Sequence, residues 1–103
     1  MAHRVVWSPA GLEEAEAIAE FIARDSAQYA AAVIRRLRDT ARSLREFPLS
    51  GRRVPEFDRE SIREKIVYGY RLIYRVEAGV VTIAAIVHAR QSFETGAGRL
   101  GCA

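Results

Sequence analysis

A chain of 103 residues, half of them hydrophobic and with a mean hydropathy of −0.08, has material for one domain around a shared core. Two full domains and an extensively disordered chain are excluded, and no apolar run approaches the ~18 residues of a membrane span. The formal net charge of +3 is unevenly placed: residues 1–34 hold two arginines against five carboxylates, whereas the rest holds fourteen basic residues against eight acidic ones, which predicts an anionic partner, nucleic acid or an acidic protein segment, for the later part of the chain.

The first element is "HRVVW" (3–7), a β-branched and aromatic run that reads as a strand. "SPAGLEEAEAIAEFIARD" then sets Ser8 as N-cap and Pro9 at the first helical position, where a missing N–H costs nothing. Leu12, Ala15, Ile18, Ala19 and Ile22 make one apolar stripe, so a helix is expected to about Arg24, with Glu13 and Glu14 near its positive end. Asp25 or Ser26 caps a second helix. Its apolar positions Ala30, Val33, Ile34, Leu37, Ala41, Leu44 and Phe47 keep the helical period for five turns, up to Pro48. The short link makes the two helices an antiparallel hairpin. Trp7 and Phe21 are expected to pack into the core or the helix groove.

"PLSGRRVPEFDRES" (48–61) reads as a loop, and three strands are expected at about 62–67, 70–76 and 80–88. The last, "VVTIAAIVH", is apolar on both faces and belongs inside the sheet. The order β-α-α-β-β-β describes an α+β fold: a helical hairpin laid on one face of a mostly antiparallel sheet. Residues 1–103 are taken as one domain, with a flexible small-residue tail from about 92. Its Cys102 has no internal disulfide partner, and "MAHRVVWSP" lacks the apolar core and cleavage site of a secretory leader; both fit a cytoplasmic setting.

"KIVYGYRLIYRV" (65–76) is the stretch with most functional content, because it places arginines inside the most apolar part of the chain. A three-residue turn at Tyr68-Gly69-Tyr70 would pair Val67 with Arg71, Lys65 with Ile73 and Arg63 with Arg75. Ile62, Glu64, Ile66, Leu72, Tyr74 and Val76 would then lie under the helices, and Arg63, Lys65, Arg71 and Arg75 would share an open face. A two-residue turn would instead set Lys65 beside Leu72 and Tyr74. Four like charges on one face are more easily held when an anion neutralises them, although exposed, solvated arginines are the simpler reading of each one singly. Only one of the sixteen basic residues is lysine; the forked guanidinium suits phosphate and carboxylate, and a GC-rich genome accounts for the same bias. His3, His88 and Cys102 provide no metal-ligand spacing, and no cofactor motif is present.

Taken in order, "WSPAGLEEAEAIAEFIA", "FPLSGRRVPE", "REKIVYGYRLIYRV" and "IVHARQ" resemble the RelE/ParE superfamily of toxins from type II toxin–antitoxin modules, over roughly residues 5–91. The resemblance implies the fold just described and a small antitoxin partner, dimeric and DNA-binding, in a heterotetramer or larger complex. It offers two activities. A RelE-like messenger RNA endonuclease, acting on the ribosome, would use Arg71 and Lys65, with or without Arg63, and Arg90 on the phosphate. Such enzymes end in a functional tyrosine, whereas this chain has Phe93, so His88 would have to move the proton. The loop and hairpin look closer to ParE-like members, which poison DNA gyrase and are not enzymes. On that reading Arg52, Arg53, Arg71 and Arg75 would contact gyrase or its DNA, and Arg36, Arg71 and Arg75 would take antitoxin carboxylates. A non-toxic RNA- or protein-binding module on the same fold is the third reading.

Overall fold

The computed structural model describes residues 2–90, so the tail from 92 and Cys102 lie outside the described residues. Strand β1 (Arg4–Trp7) leads into helices α1 (Pro9–Ala23) and α2 (Ala27–Ser43); strands β2 (Arg52–Arg53), β3 (Ile62–Val67), β4 (Tyr70–Glu77) and β5 (Val80–His88) follow. The sheet order is β1-β5-β4-β3-β2, so β1 and the two-residue β2 form its rims. Only β1 against β5 is parallel; the other pairs are antiparallel. The expected α+β architecture is therefore present, with β2 as an addition inside the segment read as loop.

The caps behave as their residue types dictate. Ser8 Oγ accepts the Gly11 N–H at 3.0 Å, and Ser26 Oγ accepts the Tyr29 N–H at 3.0 Å. Helix α2 ends at Ser43, a turn earlier than periodicity predicts, with Leu44 as C-cap; Phe47 lies beyond it and is exposed. Three other expectations fail on α1. Leu12 and Phe21 are mostly exposed rather than buried, and Glu13 and Glu14 fall beyond the first turn, Glu14 being bonded instead to a strand amide.

That amide belongs to Ile86. Strand β1 stops at Trp7, opposite Ile83, which leaves the next part of β5 without a strand on that side. Helix α1 crosses there, and Glu14 Oε1 accepts the Ile86 N–H at 3.0 Å. The same junction holds a bulge: Ile73 pairs with Ala85 and Tyr74 with Ile83, so Ala84 is extra. Ser8 donates its hydroxyl to the Ala84 carbonyl, and Gly11 comes so close that a Cβ would sit 2.7 Å from the Ile83 oxygen.

Two cores result. Under the helices, Val33, Leu37, Leu44, Leu72, Tyr74 and Ile83 are buried together, with Trp7 packed against them as expected. On the other face Val54, Ile62, Ile73, Ala84, Ala85 and Val87 form a smaller cluster with Phe57, closed by the loop after β2.

Candidate functional site

The β3–β4 hairpin has a two-residue turn, Tyr68-Gly69, with φ of 50° and 80°, the all-positive geometry whose twist matches the strands. It pairs Val67 with Tyr70, Lys65 with Leu72 and Arg63 with Tyr74, one residue away from the predicted register. The single open face of four cations is therefore incorrect. Directly paired residues share a face, so Arg63 and Lys65 lie on the helix side with Leu72 and Tyr74, while Arg71 and Arg75 lie on the opposite side. The core is not compromised, because β3 lies towards the sheet margin and its cations reach outward to the 49–51 loop. Arg63 donates to the Glu60 carbonyl at 2.9 Å and, through Nη1, to the Gly51 carbonyl at 2.9 Å; Lys65 Nζ bonds Ser50 Oγ at 3.3 Å.

Arg71 is closed off more completely. Its Nε donates to Glu64 Oε1 at 2.6 Å, and its fork grips Glu56 through Nη1–Oε2 at 2.8 Å and Nη2–Oε1 at 2.7 Å. The Glu64 side chain is 0% exposed and that of Arg71 5% exposed. The second Glu64 oxygen takes Arg52 Nε, so two guanidinium groups balance two carboxylates. The hydrogen bonds and charges of Glu56 and Glu64 raise the Arg71 pKa even further above neutral, against the opposing effect of burial. Sequence reasoning missed both acids. The available signal was Glu64 itself, a carboxylate alternating with Ile62 and Ile66, which burial obliges to find a cation.

The result is a loop pinned to the sheet. Glu56 holds it through Arg71, Val54 N–H donates to the Ile62 carbonyl at 3.0 Å, and Tyr74 Oη accepts the Gly51 N–H at 3.0 Å. Gly51 is required there: a Cβ would press on the Glu64 carbonyl and lie 2.7 Å from the Tyr74 hydroxyl. Burial raises the Tyr74 pKa. The pinned loop holds Arg52 and Arg53 outward, with side chains 65% and 52% exposed, on the free rim of β2.

Among the other expected residues, Arg36 is exposed on α2 beside Ile66 and Tyr68, and Arg75 is partly covered, 3.6 Å from Glu77. His88 is exposed at the end of β5, its Nδ1 accepting the Arg90 N–H at 3.2 Å and its ring edge-on to Tyr70. His88 and Lys65 share the helix-side face, so the proposed ribonuclease group is divided by the sheet from Arg71.

Residues 5–93 match the model of the family described as ParE toxin of type II toxin–antitoxin system, parDE. The chain belongs to the ParE toxin family. No curated protein matches the sequence. Among solved structures, a chain of the chromosomal ParDE toxin–antitoxin system from P. aeruginosa shares the fold with a TM-score of 0.71. At 13% identity the alignment covers 86% of this chain and 98% of that one. As a ParE-family member, the chain is the toxin component of a type II toxin–antitoxin pair, which implies an antitoxin partner. Among the described residues no helix is long and apolar enough to cross a membrane.

Proposed function

We propose that this ParE-family chain inhibits DNA gyrase by binding it, without cutting RNA, and is held inactive by a cognate antitoxin. The observation that carries this reading is the state of Arg71. A ribonuclease would need that guanidinium free for the scissile phosphate, where preorganised cations stabilise developing charge. Here Glu56 and Glu64 already occupy its fork, and the neighbouring Lys65 and His88 lie across the sheet. We assign target contact to the cations that remain outward, Arg52, Arg53 and Arg36. Arg71 acts as the positioning residue for the loop that carries Arg52 and Arg53.

The test is a supercoiling assay with purified gyrase and excess full-length chain. Loss of supercoiling with accumulation of cleaved DNA is expected, reversed by the antitoxin. Unchanged supercoiling removes gyrase as the target, and codon-positioned cuts in messages from induced cells would return the protein to the ribonuclease class.

A further inference from the structure

Strand β2 pairs only with Arg63 and Glu64, so the outer edge of β3 is open from Lys65 to Val67, and α2 stands beside it across a cleft. Two hollows that share Arg36 and Ile66 occupy this cleft. The first, about 290 Å³, is lined by Arg36, Thr40, Ser43 and Lys65, with Asp39 the one carboxylate on its wall. The second, about 350 Å³, runs past Val67 to Tyr68. On the helix-side face Arg53 is the direct neighbour of Arg63, and Lys65 follows two residues on, about 6.6 Å along the strand. Directly opposed like charges repel. Arg63 is answered by main-chain carbonyls, whereas Arg53 meets Asp58 only at 3.7 Å and Lys65 bonds a neutral hydroxyl. The side chains of Arg36 and Thr40 have no partner among the described residues. At the far end Tyr68 and Tyr29 are 52% and 48% exposed, their rings 5.8 Å apart and edge to face.

We propose that this cleft binds single-stranded DNA. Arg53, Lys65 and Arg36 follow the open edge and take successive phosphates, the Thr40 hydroxyl donates to a phosphate oxygen beside Arg36, and the open faces of Tyr68 and Tyr29 take bases. A cationic track ending in aromatic rings holds a single strand without reading its sequence. A duplex keeps its bases stacked inside and leaves the tyrosines unused. An extended acidic peptide is the rival occupant, but apart from Ile66 the side chains lining the first hollow are polar and give the aliphatic half of such a peptide little to bury. The proposal rests on the reading that turns Arg36 and Arg53 towards the target, and names nucleic-acid phosphate as what they meet. The two fail separately: gyrase inhibition by a chain that binds no DNA removes this proposal alone, and DNA binding without gyrase inhibition removes that reading alone.

Fluorescence anisotropy of a labelled DNA oligomer of about 12 nucleotides, titrated with the purified full-length chain over a salt series, tests it. Three phosphate contacts give a slope of log affinity against log salt of about −2, so affinity should fall about twentyfold between about 50 and 200 mM salt. R36A and K65A should each weaken binding and reduce the slope by about 0.7. Tyr68→Asn suits the turn and removes the ring; it should weaken binding by about fivefold or more with the slope unchanged. D39N removes a repelling carboxylate and should tighten binding by about twofold to threefold, a gain that lost folding cannot produce. Circular dichroism of each variant separates lost contacts from lost folding. No binding at about 50 mM salt, a slope that R36A and K65A leave unmoved, unchanged binding in Tyr68→Asn, or no gain in D39N overturns the proposal. Polyglutamate that competes as well as unlabelled DNA also overturns it and gives the cleft to an acidic protein segment, as does an RNA of the same sequence bound about tenfold tighter, which gives it to RNA.

Discussion

Arg71 and Tyr74 sit three residues apart on one strand, point to opposite faces, and fasten the same loop. The Arg71 fork is held by one carboxylate from β3 and one from the loop, both in surroundings that exclude most water. Removing the cation leaves Glu64 buried with only the exposed Arg52 as partner. Arg71→Ala is therefore expected to destabilise the fold by about 3–5 kcal/mol, the usual cost of breaking one side of a buried pair. Urea unfolding measures it; a loss below about 1 kcal/mol would mean that the loop is held by its apolar contacts alone. Tyr74 supplies a pH signature. Its folded pKa is raised by burial, so the folded state keeps its proton at a pH where the unfolded chain has begun to release it. Stability from this group is intact below the unfolded value of about 10 and falls as pH rises above it. Thermal unfolding between pH 8 and 11 should show that decline, and Tyr74→Phe should flatten it.

At the scale of elements, most boundaries were legible because local rules and tertiary needs agree. Ser8-Pro9 and Ser26 started the helices, and the strands fell where apolar alternation placed them. The register was not legible. The rejected two-residue turn is the one present, and the error came from treating every residue opposite Leu72 or Tyr74 as core. Arg63 and Lys65 tolerate that side because β3 is near the margin and the 49–51 loop supplies their acceptors. Which part of a sheet a helix covers is a long-range fact that periodicity within a strand does not encode. The turns themselves carry a mild strain: Tyr68 and Ala78, neither glycine, both have φ of 50°. Asparagine accepts that conformation more readily than other side chains. Ala78→Asn, in the exposed turn before β5, should stabilise the protein by about 0.5–1 kcal/mol, read as a higher melting temperature.

For the whole molecule, charge asymmetry between early and late sequence had pointed to an anionic partner for the later part. In three dimensions part of that late positive charge is already answered internally: Arg71 by two glutamates, Arg52 by one, Arg63 by main-chain carbonyls. Counting charges along the chain could not reveal this, because the partners Arg52, Glu56, Glu64 and Arg71 are brought together by a loop folding back over a sheet. What the sequence did carry was the family, through its ordered motifs, and the identity of the outward loop arginines.

The order of strands has a further consequence. "VVTIAAIV" is the kind of uncharged, β-branched segment that stacks into fibrils when several chains expose it. In the native sheet it is interior, flanked by β4 on one side and by β1 and then the Glu14 side chain on the other, while the rims are short and carry exposed Arg4, Arg52 and Arg53. Intact molecules can therefore collide without recruiting one another, and heat inactivation should follow how often α1 lifts away from β5, after which the bared strand makes the loss irreversible.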